Sequence, residues 1–210
     1  MGGIAVTSKF SIVLADPAWP YNRRNNPNTR FGRGVHGHYP TMTVEEICQL
    51  DVPSITNANC ALFLWATWPK LPLALQVMES WRFEYKTCAF LYVKLNPARA
   101  QAEAHRLGLI LVGDGLMPFL DWMTFFGIGY FTKSNSEVCL LGIKGKMKPV
   151  SNYVSQIVYA PRGQHSAKPP IVRDKIVELF GNLPRIELFG REKVSGWSSW
   201  GLEVENDIEL

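Results

Sequence analysis

Short apolar, β-prone runs alternate with amphipathic stretches along the chain, and this alternation narrows the fold more than any other feature. Residues 11–15 (SIVLA), 61–66, 85–95, 137–143, 157–160 and 185–189 read as strands. Between them, Thr43-Val44-Glu45-Glu46 is a capping box that opens a helix running to about Leu50. Pro72 sits near the start of a helix whose Leu71, Leu75 and Met78 would share one face. Residues 98–107 look helical and stop at Gly108, and residues 117–126 suggest a second short helix. Pro169-Pro170 opens a helix that ends at Gly181. Strands alternating with helices imply an α/β fold with a mostly parallel central sheet flanked by helices. Such sheets bind ligands beyond the carboxyl ends of their strands. Two strand ends carry unusual chemistry here: residues 16–19 and residues 189–191.

The bulk composition sets outer bounds. With 210 residues, 47% hydrophobic and 19% charged, the chain suits one folded domain over residues 1–210 rather than a disordered segment. A net charge of +4 is compatible with a polyanionic partner. No apolar run reaches the ~18 residues that span a bilayer, and the first ten residues lack the pattern of a secretion signal. A cytoplasmic protein without a membrane partner is therefore expected. Cys48, Cys60, Cys88 and Cys139 are scattered without a C-x-x-C pair, and the four histidines lack ligand spacing. Free thiols and no metal are the expectation.

The first strand runs into Asp16-Pro17-Ala18-Trp19-Pro20. A carboxylate and an adjacent backbone carbonyl are two acceptors that can converge on one amino group. Proline has no N–H and a fixed φ, so it holds that carbonyl rigidly. A neighbouring aromatic ring can stack on a flat base. Taken alone, however, Asp-Pro after a strand reads as a turn and the tryptophan as core.

The rest of the chain changes that reading. ADPAWPY resembles the DPPW motif of the N6-adenine methyltransferase family that includes the catalytic subunit of the eukaryotic messenger-RNA adenine methyltransferase and many bacterial and phage enzymes. Further stretches are similar to that family, in its order and over nearly the whole chain. They are His38-Tyr39-Pro40-Thr41-Met42, Leu62-Phe63-Leu64-Trp65, GIGYFTK running into EVCLLGIKGK, His165-Ser166-Ala167-Lys168-Pro169 and Ile186-Glu187-Leu188-Phe189-Gly190-Arg191.

The resemblance implies a Rossmann-like S-adenosylmethionine-dependent methyltransferase fold with permuted motif order. It implies that Asp16 and Pro17 hold the target amine, with Asp16 also close to the cofactor, and that Trp19 lines the base pocket. Lys168 would face the methionine carboxylate, Phe189 and Arg191 would lie along the cofactor, and Glu203 would approach its ribose. The loop after the motif, with Tyr21, Arg23, Arg24, Arg30, Arg33 and His38, supplies candidate substrate contacts, phosphates above all. Lys94 and Lys133, each after an apolar run, are further candidates; ordinary solvation would serve either lysine equally. His165 reads evenly as a pocket wall or as a residue that fixes the helix entry.

Three departures from the family pattern stand out. Ala18 replaces the second proline, which should loosen the turn while sparing the Pro17 carbonyl. Leu202 stands where several relatives carry an asparagine. Glu-Lys-Val follows Arg191 in place of the His-Asn of the eukaryotic enzymes. Residues 97–126 form a longer stretch than in close-set relatives and suggest an element for target recognition or homodimer formation, or a plain packing insertion. The reading that follows is an adenine N6-methyltransferase acting on DNA by base flipping and direct transfer. The alternatives are the same chemistry on RNA and a non-catalytic nucleic-acid-binding subunit of a methyltransferase heterodimer.

Overall fold

Phe10–Ala15 forms β1, and Ile12, Val13 and Ala15 are fully shielded from solvent, with Leu14 nearly so. Burial at that level contributes about 1.5–3 kcal/mol for each large aliphatic side chain, which is why a six-residue segment can centre a sheet. The structure is a computed structural model and describes residues 9–19, 42–96, 124–125, 127, 131–163 and 167–210. The arginine loop with Tyr21, Arg23, Arg24, Arg30, Arg33 and His38 lies outside the described residues. So do the helix expected over residues 98–107, most of that expected over residues 117–126, and His165.

The other elements in chain order are α1 (Val44–Gln49), α2 (Val52–Ile55), β2 (Thr56–Ala66), α3 (Leu71–Ser80), β3 (Glu84–Leu95), β4 (Ser136–Lys144), β5 (Ile157–Pro161), α4 (Ile171–Phe180), β6 (Arg185–Leu188) and β7 (Ser198–Trp200). The seven strands lie in the order β5-β3-β4-β2-β1-β6-β7. β1 pairs in parallel with β2 and β6, β6 with β7, and β3 with β5. The expected mostly parallel α/β sheet is thus present.

The chain divides into two compact units. The first comprises Met1–Thr87, Leu140–Lys148 and Leu183–Leu210; the second comprises Cys88–Cys139 and Pro149–Asn182. Among the described residues no helix is long and apolar enough to cross a membrane. All four cysteines are free; Cys60 and Cys139 are buried, while Cys48 and Cys88 are half-buried.

Local chemistry explains most element ends. Thr43 Oγ1 accepts from the Glu46 N–H at 3.1 Å, and Glu46 returns a carboxylate to the Thr43 N–H at 2.7 Å, so the capping box is complete. α3 ends in a Schellman arrangement: the Phe83 N–H donates to Met78 O and the Arg82 N–H to Glu79 O, with Arg82 at φ +63. Gly181 closes α4 at φ +83 and donates its N–H to Val177 O at 2.7 Å.

Three expectations need correction, and one element was unforeseen. The inward face of α3 is Ala74, Val77 and Met78, whereas Leu75 is exposed and Leu71 half-buried. The buried stripe follows i, i+3, i+4 from Ala74. Thr124 bridges Leu95 in antiparallel fashion and the Phe125 N–H donates to Lys94 O, so this end of the second expected helix is extended. β2 begins five residues earlier than its apolar run: Thr56 pairs with Phe10 of β1, the half-buried Asn57 donates to Ser11 of β1, and the exposed Asn59 accepts from the Lys146 N–H just past β4. Finally, β7 is a strand that three residues, Ser-Ser-Trp, could not announce by periodicity.

Candidate active site

β1 ends at Ala15, in register with Leu64 of β2 on one side and Leu188 of β6 on the other. Asp16 is therefore the first residue past the carboxyl end of the central strand of three. It is half-buried, Pro17 is buried and Ala18 is exposed. The Trp19 N–H donates to Pro17 O at 2.9 Å, a three-residue turn around Ala18. This turn closes with alanine in place of the second proline. It engages one of the two lone pairs of the Pro17 oxygen and fixes the direction of the other. Trp19 is 6% exposed and its indole N–H donates to Trp65 O at 3.0 Å. The indole thus pins the motif to the end of β2.

The neighbouring strand end is also unusual. Phe189 follows β6 at φ +61. For a bulky residue that is an outlier, costing about 1–3 kcal/mol. Arg82, at a similar φ, ends a helix, where this conformation is ordinary; Phe189 ends a strand. Its ring meets Trp200 edge-on, 5.5 Å between centroids and 77° between planes. The Gly190 N–H donates to Trp200 O at 3.0 Å. A Cβ on Gly201 would lie 2.2 Å from Gly190 O, so the turns after β6 and β7 touch backbone to backbone. Arg191 and Glu203 extend from these turns as an exposed pair 3.8 Å apart.

Two residues that sequence reasoning missed hold this region. Asn206 Oδ1 accepts from the Gly201 N–H at 2.7 Å. Asp207 Oδ2 accepts from the Ser199 N–H at 2.8 Å while Oδ1 meets Lys193 Nζ at 2.5 Å. The Lys193 hydrogen bond first, and then the Ser199 N–H, hold the Asp207 carboxyl below the usual carboxylate range. Leu202, by contrast, is largely exposed between these contacts.

The second unit carries its own charged cluster. Glu137 on β4 has a side chain 9% exposed, with Lys94 Nζ of β3 at 2.5 Å and Lys168 Nζ at 3.3 Å. Burial pushes the Glu137 carboxyl up, but Lys168 and Lys94 together outweigh it, and the net displacement is downward. Two ammonium groups around one carboxylate leave a formal charge of +1 on partly buried cations. Tyr92 donates its hydroxyl to Pro161 O at 2.8 Å. Its pKa is pushed up to about 12 by burial and then by the Glu137 carboxylate, against the opposing Lys168 and Arg162 charges. Arg162 stacks on the Phe125 ring at 4.6 Å.

The predicted residues therefore fall into three groups. Asp16, Pro17, Trp19, Phe189, Arg191 and Glu203 lie at the adjoining carboxyl ends of β1, β6 and β7. Lys94 and Lys168 meet through Glu137. Lys133 is exposed, beside the antiparallel bridge of Gly127 with Ser134. Glu137 was missed because one acid at the start of an apolar strand looks like a boundary residue; its two cations arrive from 43 residues before and 31 after. Among the described residues no group of three or more metal-ligating side chains converges.

Residues 10–109 and 125–203 match MT-A70, which covers most of the chain. The chain belongs to the MT-A70 family. It is 34% identical over 220 residues to the Type II methyltransferase M.MunI of Mycoplasma sp, a match spanning 96% of this chain and 81% of that protein. It is 24% identical over 207 residues to an N(6)-adenosine-methyltransferase MT-A70-like protein of Arabidopsis thaliana, covering 98% of this chain and 25% of that protein. It is also 24% identical over 201 residues to the N(6)-adenine-specific methyltransferase METTL4 of Homo sapiens, covering 93% of this chain and 37% of that protein. The MT-A70 match contains every described site residue named above except Asn206 and Asp207, which lie beyond residue 203.

Proposed function

We propose that this MT-A70 protein methylates the exocyclic amine of adenine in DNA, using S-adenosylmethionine. The observation that carries the reading is Asp16 with the oriented Pro17 carbonyl at the carboxyl end of β1. The adenine amine is a poor nucleophile because its lone pair is delocalised into the ring. Two acceptors on its hydrogens draw that lone pair back to nitrogen and favour the tetrahedral transition state over the planar ground state. Asp16 and Pro17 offer those acceptors. When the nitrogen gains the methyl group it sheds one proton, and the Asp16 carboxylate or water takes it. The extent of the M.MunI match, four-fifths of a type II methyltransferase, favours DNA over RNA.

The residues present fit the cofactor. S-adenosylmethionine brings a methyl group made electrophilic by a sulfonium. The bare backbone at Gly201 lets the turns after β6 and β7 meet, which sets the positions of Arg191 and Glu203 that follow them. Glu203 suits the two hydroxyls of a ribose, and Arg191 and the strained Phe189 stand beside it. Gly201→Ala is expected to part the two turns and weaken S-adenosylmethionine binding on the order of tenfold to a hundredfold, read by calorimetry; unchanged affinity would remove these turns from the cofactor site.

The deciding experiment supplies methyl-labelled S-adenosylmethionine with duplex DNA and, separately, single-stranded RNA, followed by mass spectrometry of the nucleosides. Label is expected in N6-methyldeoxyadenosine. Label confined to RNA would overturn the DNA assignment, and no transfer to either would leave a nucleic-acid-binding partner subunit as the better reading. Sequencing the modified adenines then gives the recognition site.

A further inference from the structure

We infer that two copies of this protein associate edge to edge through β5, as a two-fold dimer whose sheets join across that strand. β5 closes one end of the seven-stranded sheet and pairs only with β3. The Leu91 N–H donates to Gln156 O at 2.9 Å and the Arg162 N–H to Leu95 O at 3.2 Å. These bonds fix which way the backbone of β5 faces. Even-numbered residues, Val158 and Ala160 among them, turn their N–H and C=O groups to β3, and Ile157, Tyr159 and Pro161 turn theirs outward. Pro161 has no N–H, so the outward donors are those of Ile157 and Tyr159. Ser155 Oγ reaches Ile157 O at 3.4 Å, a long contact on an oxygen with two lone pairs. The side chains leave this edge unguarded: Ile157 is 43% exposed and Tyr159 56%, and no charged residue lies between Ile157 and Pro161. By contrast, the start of β3, ahead of its pairing with β5, carries the ion pair of Glu84 and Lys86. Open strands are ordinarily protected by such charges.

A second copy is the occupant this edge fits. In an antiparallel pair, two opposed residues exchange both N–H···O bonds when their backbone groups face each other. A two-fold axis through Val158 sets Ile157 against the partner's Tyr159 and Tyr159 against the partner's Ile157. Every outward donor then meets an outward acceptor. The same symmetry pairs a β-branched with an aromatic side chain twice, a favourable cross-strand combination. It sets Arg162 against the partner's Val154, so like charges do not meet. Such a contact is closed: the axis uses the outward groups of both copies and leaves none for a third. Its size sets its strength. Tyr153, four residues before the strand, is 89% exposed, and with Ile157 and Tyr159 it presents on the order of 400 Å² of side chain per copy. About 800 Å² over two copies is the small end of specific interfaces, so the dimer is a weak one that forms with rising concentration.

The test is sedimentation of the full chain at rising concentration, up to about 1 mM, with amide hydrogen exchange read residue by residue. The mass is expected to double, and exchange at Ile157 and Tyr159 to slow as it does. Tyr159→Lys places a charge at the centre of the contact, and Tyr159→Pro deletes an outward N–H while sparing the bonds to β3. Each should raise the dissociation constant on the order of tenfold or more. Tyr159→Phe keeps the ring and the backbone and should dimerise like the wild type. Melting temperature at low concentration should stay at the wild-type value in Tyr159→Lys and Tyr159→Phe, because the side chain they alter is exposed. A wild-type chain that stays monomeric up to about 1 mM overturns the inference. So does a dimer that Tyr159→Lys leaves intact, or one that forms without slower exchange at Ile157 and Tyr159. None of these readouts depends on methyl transfer.

Discussion

Asp16→Ala is expected to lower methyl transfer to adenine by on the order of a hundredfold to a thousandfold or more, the range seen when one electrostatic contact to a developing charge is removed. The fold should survive, because Asp16 lies past the end of β1, half-exposed, while the strand's packing comes from Ile12 to Ala15. The Pro17 turn is closed by the Trp19 N–H and does not depend on the acid for that bond. Asp16→Asn separates two roles. Its amide oxygen still accepts from the amine, but it takes up no proton and carries no charge, so a residual rate between those of alanine and wild type is expected. Labelled-methyl transfer, with melting temperature as the control, reads both. Wild-type turnover by Asp16→Ala would end the mechanism proposed for this motif.

Glu137→Gln should have the largest effect on stability. The carboxylate neutralises two ammonium groups whose side chains are each 16% exposed. Removing it leaves Lys94 and Lys168 facing each other with little solvent to screen them. Breaking a buried pair in this way costs about 3–5 kcal/mol, or roughly 6–20 °C in melting temperature for a chain of this size. The pH dependence follows from the direction of the shift. The folded carboxyl is held below its ordinary value of 4.5. Its contribution is therefore complete above about pH 4.5 and fades as pH falls through the folded value. Denaturant unfolding of wild type and Glu137→Gln should differ by the full amount at pH 7 and converge in acid. A difference that persists unchanged well below pH 4 would mean that the ion pair is not its source.

The legible parts of this protein were those written in local chemistry. The capping box at Thr43, the Pro-Pro start and Gly181 end of α4, and the apolar run of β1 are each set by neighbours a few residues away. The candidate site was legible as strand ends that run into polar chemistry, at Asp16 and again at Phe189 and Arg191. What stayed hidden depends on distant partners. Glu137 stands out only when two lysines from other elements close on it. Asn206 and Asp207 look like ordinary polar tail residues until their bonds to Gly201 and to Ser199 of β7 are seen. The face of α3 was misjudged because Leu71 and Leu75 outweigh Ala74 in apolarity, although the small alanine is what the sheet accommodates.

The clasp on Ser199 bears on how copies of this protein can meet. β7 is one of the two marginal strands of the sheet, and a bare margin invites another chain to extend it. Here the Ser199 N–H is already taken by the Asp207 carboxylate and the Ser199 carbonyl by the Asp207 N–H. An incoming strand would find both groups spoken for and a negative charge in its path. Growth into fibres through this border is thereby discouraged at its middle residue, by a single residue whose carboxylate and backbone N–H do duty for a whole missing neighbour.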